Sequence, residues 1–135
     1  MNGVIKQSVT LPASAKKLYD MYITPRGHAA ITGMPVKISS KPGSAFRAFD
    51  GSIFGTTLAV VPGRLIVQSW RSCNFGEADP DSTLILSFTP LKANSARIDL
   101  IHVNVPSVDY NGVRQGWTKY YWKPWRKHFT RKQAA

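Results

Sequence analysis

The stretch from Asn111 to Lys132 constrains the fold more than any other part of the chain. At about 100° per residue, Val113, Trp117, Tyr120, Tyr121, Pro124, Trp125, His128 and Phe129 fall on one broad arc, while Lys119, Lys123, Arg126, Lys127 and Thr130 fall opposite. This pattern predicts one long amphipathic helix whose aromatic face needs a partner of matching breadth. Pro124 interrupts the pattern. Because proline has no N–H to donate and crowds the preceding turn, a kink is expected near Tyr120 to Lys123.

The remainder of the chain supplies that partner. Residues Val4 to Leu11 are strand formers that end at Pro12, and Ala13 to Tyr22 reads as a helix with Leu18, Met21 and Tyr22 on one side. A second helical segment opens at Pro25, a favourable first helical residue, and stops at Gly33. Beyond it, Lys41-Pro42-Gly43-Ser44, Pro62-Gly63 and Lys92-Ala93-Asn94-Ser95 are turn signals, because proline presets one turn dihedral and glycine or asparagine tolerates positive φ. They separate candidate strands at 34–40, 44–50, 52–61, 64–72, 82–90 and 95–105. Strands joined in series by short loops form an antiparallel meander rather than βαβ units. Gly51 and Gly55 suggest a bulge or sharp bend that curls the sheet. The fold class is therefore α+β: a curved antiparallel sheet of about seven strands, two short helices, and a long C-terminal helix packed across the sheet.

Strand parity then nominates the residues between helix and sheet. Ile66, Gln68 and Trp70 share one face of their strand, and if that face is inward Trp70 meets Trp117 across the interior while Arg71 points away. Phe46 and Phe54 are candidates on the same logic. His102 alternates with Leu100 and Ile98, which makes it either a satisfied core histidine or a base in a pocket; Arg97 and Asp99 take the opposite parity and should face solvent. Two readings stay open for Trp117, Tyr121 and Trp125: they fill a core, or their bulk on a curved sheet leaves a gap that takes a ligand.

Several function classes are disfavoured. The 135 residues fit one domain, 1–135, and the start of the chain turns polar at Lys6-Gln7 before a signal peptide could form. No run approaches the ~20 apolar residues of a membrane span. The single cysteine, Cys73, cannot form an internal disulfide, which agrees with a reducing, cytoplasmic setting. Three histidines and seven acids are a thin supply for catalysis, and neither a helical HxxxH nor a paired-cysteine spacing is present, so no catalytic residue, metal or cofactor is assigned. The loop from Asn74 to Asp81 carries Glu77, Asp79 and Asp81 but lacks the glycine and terminal glutamate of a calcium loop, so it reads as a solvated loop.

Charge is the strongest compositional bias. The formal net charge is +11, and between Arg114 and Ala135 lie seven basic residues (Arg114, Lys119, Lys123, Arg126, Lys127, Arg131, Lys132) and no acid. The stripe Lys119, Lys123, Arg126 and Lys127 is either a solvated helix face or a surface for an acidic partner. Nucleic acid ranks below these, because stacking would need exposed aromatics among the charges, and the periodicity puts the aromatics on the other side.

Taken in order, these elements resemble the helix-grip fold of the START-like, birch-pollen-allergen-like superfamily, often called SRPBCC. Specific residues are similar to one branch: His28-Ala29-Ala30-Ile31-Thr32-Gly33; Phe49-Asp50-Gly51 with Ile53 and Gly55; Pro62 followed by Ile66-Val67-Gln68-Ser69-Trp70-Arg71; Asp81-Ser82-Thr83-Leu84; His102 with Val105-Pro106; and Gly116-Trp117 with Tyr121-Trp122-Lys123-Pro124. That branch is homologous to the C-terminal domain of the activator of the 90-kDa heat-shock chaperone's ATPase. The resemblance runs from about Lys6 to Phe129 and implies a cavity-bearing scaffold that serves ligand carriers, enzymes and co-chaperones alike. Where that branch carries acids on the final helix, this chain has Thr118, Lys119 and Lys123, which moves the expectation toward an anionic ligand or partner.

Three functions follow in order of preference. The first is a non-enzymatic binding module holding a hydrophobic or amphipathic small molecule, with or without an anionic end, against Trp70, His102, Trp117 and Tyr121, with Phe46, Phe54 and Gln68 nearby. The second is a protein-interaction module of co-chaperone type that presents Lys119, Lys123, Arg126 and Lys127 to an acidic protein such as a chaperone. The third is a cyclase-like or hydrolytic enzyme using His102.

Overall fold

A computed structural model describes residues 2–134, and side chains as far as residue 131. Strand β1 (Gly3–Leu11) leads into helix α1 (Ala15–Ile23), and after a single linking residue helix α2 (Pro25–Thr32) follows. Ser14, read from the sequence as part of the first helix, is instead its cap: its Oγ accepts from the Lys17 N–H at 3.1 Å and opens α1 at Ala15. Thr24, which the sequence reading did not single out, does the same for α2 through the Gly27 N–H at 3.2 Å, and Pro25 takes the first turn as expected. Gly33, at φ 79°, closes α2 in the left-handed region, its N–H reaching Ala29 O at 2.8 Å.

Strands β2 (Ala45–Ala48), β3 (Ile53–Val61), β4 (Leu65–Ser72), β5 (Ser82–Lys92) and β6 (Ser95–Val105) complete one six-stranded antiparallel sheet in the order β1-β6-β5-β4-β3-β2. The count corrects the expectation of about seven strands. The segment 34–40 makes only a single bridge, in which Lys37 and Arg47 exchange two backbone hydrogen bonds of 2.9 Å. Pro35 has no N–H with which to extend that ladder. The strand expected over 44–50 likewise stops at Ala48, because Phe49 (φ 53°) and Asp50 (φ 56°) turn left-handed ahead of Gly51 (φ 86°) and form a tight 3₁₀ turn.

Sheet curvature has two identifiable sources on β3. Between Thr57 and Ala59 the register slips, leaving Leu58 as the extra residue of a bulge. At Gly55 the partner backbone comes so close that a Cβ would lie 1.9 Å from Ser69 O, so only glycine fits. The concave face so formed carries Ile66, Gln68, Trp70 and Ser72 of β4, Leu84, Leu86 and Phe88 of β5, and Ile98, Leu100 and His102 of β6, all buried.

The C-terminal element packs into that concavity, as its aromatic arc requires, but it is not one regular helix. It comprises α3 (Tyr110–Trp117), a π-helical turn (Thr118–Trp122) and α4 (Lys123–Ala134). In the π turn the Lys123 N–H reaches back five residues to Thr118 O. The wide turn sits where Pro124 withholds its N–H and its ring would crowd a normal α-turn, so the expected kink is realised as a local widening. The widening also advances the helix phase. Trp122, placed by a uniform 3.6-residue period outside the aromatic arc, is buried beside Tyr121, while Tyr120 is 46% exposed.

Candidate functional site

Four tryptophans line the helix–sheet junction, and their indole N–H groups show how it is organised. Trp117 Nε1 donates to His102 Nδ1 at 3.1 Å, Trp122 Nε1 to Gln7 Oε1 at 2.7 Å, and Trp125 Nε1 reaches Met21 Sδ at 3.4 Å. Trp70 is only 3% exposed, yet no protein acceptor lies within reach of its N–H. Two residues earlier on the same face of β4, Gln68 accepts from the Tyr22 hydroxyl through Oε1 at 2.8 Å, while its Nε2 also lacks a protein acceptor. Leaving a buried donor unpaired costs about 1–3 kcal/mol, so two on one strand face are exceptional.

Trp70 also forms part of the wall of a cleft of about 450 Å³ between the β3–β4 end of the sheet, the 3₁₀ turn and the C-terminal helix. Its apolar walls are Phe49, Ile53, Trp70, Val113, Trp117 and Tyr121, with Tyr120 at the rim and Gly112 and Gly116 opening the helix side. Trp70 and Trp117 face each other at 6.2 Å between ring centroids, and Trp117 packs on Tyr121 at 4.6 Å. Phe49, whose left-handed backbone is unusual for a bulky residue, reaches Tyr120 and Tyr121 at 5.5 and 6.0 Å. Such strain persists only where the surroundings enforce it. The polar part of the wall is Ser52, Ser72, Cys73, Asn74 and Asp109. Ser72 Oγ donates to Asp109 Oδ2 at 2.5 Å and accepts from the Asn74 N–H at 3.1 Å.

Behind the cleft, two histidines are held neutral. The Trp117 indole can only donate, so His102 Nδ1 is the acceptor and the ring proton sits on Nε2. Nε2 faces Ser82 Oγ at 2.8 Å, and the Ser82 hydroxyl passes its own proton to Trp70 O at 2.7 Å. Burial lowers the His102 pKa to about 3. His28 Nδ1 donates to Tyr22 O at 2.8 Å and Nε2 accepts from the Tyr121 hydroxyl at 2.8 Å. Burial brings the His28 pKa to about 4, partly opposed by the bond to the Tyr22 carbonyl, and burial raises the Tyr121 hydroxyl. The arrangement is the satisfied core histidine of the two readings: the free lone pair of His102 is spent on Trp117, so it is not placed to deprotonate Ser82, and both residues are fully buried.

The residues nominated by parity therefore divide. Trp70, Trp117 and Tyr121 meet in the cleft wall, whereas His102 and Gln68 lie behind it and Phe46 is buried against His28 with ring centroids 5.8 Å apart. Phe54 is a correction: it is 39% exposed on the opposite face of β3, because the turn at Phe49–Gly51 resets the strand's parity relative to Phe46. Phe49, Ser72 and Asp109 were missed. Ser72 shares the parity of Gln68 and Trp70 and was legible from that, but nothing in the sequence pairs it with Asp109, which lies 37 residues away.

The basic stripe is exposed as expected but split by the π turn. Lys119 lies over the Tyr120 ring, 5.3 Å from its centroid. Lys123, Arg126 and Lys127 instead gather with Ser8 and Trp122 along a groove of about 490 Å³ beside β1. The Lys132 side chain lies outside the described residues. In the 74–81 loop, Arg71 takes the place a cation would have: its guanidinium donates to Gly76 O and Asp79 O at 2.6 Å and pairs with Asp81 at 3.2 Å. No group of three or more potential metal ligands occurs among the described residues, and no helix of the described residues is long and apolar enough to cross a membrane.

A sheet that grips a C-terminal helix and leaves an aromatic cleft between the two defines a START-like, helix-grip domain. Residues 12–124 match the family described as Activator of Hsp90 ATPase homolog 1-like protein, and the chain belongs to that family. The Activator of 90 kDa heat shock protein ATPase homolog 1 of Homo sapiens is 27% identical over 120 residues, covering 89% of this chain and 35% of the human protein. The Activator of 90 kDa heat shock protein ATPase homolog of Dictyostelium discoideum is 22% identical over 115 residues, covering 85% and 30% respectively. The chain thus spans about a third of the length of these curated relatives. Among solved structures, an HSP90 activator from Plasmodium falciparum superposes with a TM-score of 0.80 at 23% identity, covering 89% of this chain and 91% of that one. At that identity the likeness concerns the fold.

Proposed function

We propose that the chain works as a non-enzymatic START-like binding domain of the cytoplasm, holding a hydrophobic or amphipathic small molecule between the sheet and the C-terminal helix. The observation that carries this reading is the cleft of about 450 Å³ walled by Phe49, Trp70, Trp117 and Tyr121, which falls within the usual ~300–1,000 Å³ of small-molecule sites. It combines continuous aromatic walls with a few fixed polar groups, the composition that binds apolar ligands in a defined orientation. Titration with an apolar fluorescent probe tests it: saturable binding that is lost when the cleft is filled supports the reading, and absence of any saturable uptake overturns it.

Family membership favours a second reading, a protein-interaction module of co-chaperone type acting on an acidic surface of a chaperone such as heat-shock protein 90. The groove with Lys123, Arg126 and Lys127, all exposed, is its natural contact. Affinity for the chaperone should then fall steeply with salt and vanish on charge reversal of Lys119, Lys123, Arg126 and Lys127 together. Binding that survives the reversal rules this reading out.

A further inference from the structure

Asp109 is the one buried acid of the chain, and no cation answers it. Of the seven acidic residues, Asp20, Asp81 and Asp99 pair with Lys16, Arg71 and Arg97, whereas Asp109 is 9% exposed and makes no ion pair among the described residues. The chain carries 18 lysines and arginines, so the reason is not a shortage of cations. Buried charges are ordinarily paired. Asp109 stands at the N-cap position of α3 but makes no side-chain cap bond, so capping does not account for its carboxylate either. Its Oδ2 accepts from Ser72 Oγ at 2.5 Å. Its Oδ1 has no hydrogen bond among the described residues, yet the sealed side-chain atoms without a partner are Gln68 Nε2 and Trp70 Nε1, so Oδ1 keeps surface that a ligand can touch.

That surface belongs to the cleft. Asp109, Ser72 and Gly112 all line it, and a Cβ placed on Gly112 would lie 2.8 Å from Oδ1, so the missing side chain leaves this oxygen uncovered on the helix side. The wall holds no lysine or arginine. Its aromatic faces suit a cation as well as an apolar body: at the rim, the Lys119 ammonium already rests over the Tyr120 ring, 5.3 Å from its centroid.

We infer that the cleft takes a flat, apolar organic amine whose protonated nitrogen donates to Asp109 Oδ1 while its body lies against Trp117 and Tyr121. This inference rests on the proposed binding function and names the chemical class of its ligand, and it replaces the anionic ligand end suggested by the overall charge. The net charge of +11 opposes such a ligand weakly, because exposed charges act through solvent and are screened over about 8 Å at physiological salt. Asp109 acts at contact distance from a buried position, where screening is weak. A carboxylate ligand would instead bring a second negative charge beside a buried one.

Three naphthalenes of similar shape test this: 2-naphthylmethylamine, which is protonated at neutral pH, 2-ethylnaphthalene and 2-naphthoate, each titrated into the ¹⁵N-labelled protein. The amine should bind at least about tenfold more tightly than the ethyl compound, the worth of one hydrogen bond to a charged group, and should shift the Asp109 and Gly112 amide signals more than the ethyl compound does. The naphthoate should bind most weakly. In Asp109→Asn the amine and the ethyl compound should bind equally. Equal affinities in the wild-type protein, tightest binding by the naphthoate, or an amine preference that survives Asp109→Asn each overturn the inference while leaving the cleft as a binding site. If none of the three binds, the binding function fails and the inference with it. Where the variant does not fold, the wild-type protein decides: an amine preference without shifts at Asp109 and Gly112 overturns the inference.

Discussion

Filling the cleft from Gly116 separates binding from stability. Gly116 lies inside α3 and in the cleft wall, and a Cβ built there would meet only Tyr120 ring carbons at 3.6 and 3.9 Å, ordinary contact distances. Its neighbour Gly112 offers no such room, since a Cβ would fall 2.8 Å from Asp109 Oδ1. In a helix interior, replacing glycine by alanine gains about 0.8–1 kcal/mol, and phenylalanine keeps roughly half of that. A phenyl ring laid against Trp117 and Tyr121 adds about half of the ~1.5–3 kcal/mol of a fully buried aromatic. Gly116→Phe should therefore stabilise the protein by about 1 kcal/mol, raising Tm by roughly 3–5 °C, while abolishing uptake of an apolar fluorescent probe. Gly116→Ala should gain similar stability and retain the probe, since a single methyl leaves the cleft open. Thermal melts and probe titrations of both variants decide the matter. A Gly116→Phe protein that is more stable and still binds the probe with wild-type affinity refutes the placement of the ligand.

Other expectations follow from the core. His28 and His102 are neutral when folded, with pKa values lowered to about 4 and about 3, whereas the unfolded chain takes up protons below about pH 6.5. Stability is thus complete above that pH and drains as the pH falls, by up to about 2 kcal/mol per histidine at pH 5; urea midpoints that stay level between pH 6.5 and 5 contradict the neutral assignment. Gly55→Ala would drive a methyl into the Ser69 carbonyl at 1.9 Å and should cost at least about 1–3 kcal/mol, read as a lowered denaturation midpoint. Trp125→Ala empties a fully buried site and should cost about 3–5 kcal/mol, whereas Phe54→Ala, on the exposed face, should stay within about 1 kcal/mol.

Much of this architecture was legible because local and global signals agree. The helix start at Pro25, its stop at Gly33, and the strict alternation of β4, β5 and β6 reflect short-range rules that the sequence states openly. The seventh strand was misread because residue type alone does not show whether a partner ladder exists: Pro35 and the single Lys37 bridge decide that only in three dimensions. Trp122 is missing from the aromatic arc read off the sequence for a different reason, since a helical wheel assumes one period and the π turn changes it in mid-element. In the site, parity found Trp70 and Trp117, but the Ser72–Asp109 pair and the bare indole N–H depend on distances between remote segments.

The five-residue turn ahead of Pro124 makes this helix unusually sensitive to where an insertion or deletion falls. Losing one residue from the exposed part of that turn, Lys119 or Tyr120, would let it close to ordinary width with both flanking helices still in phase, at the expense of the room the proline ring needs. Losing one residue just after Trp125, such as Arg126, has no such remedy. Everything downstream would rotate by about 100°, turning Phe129 out of the concavity and carrying the neighbouring cations toward it. Relatives that differ by one residue in this region are therefore expected to differ within the turn, with the spacing from Pro124 to Phe129 preserved.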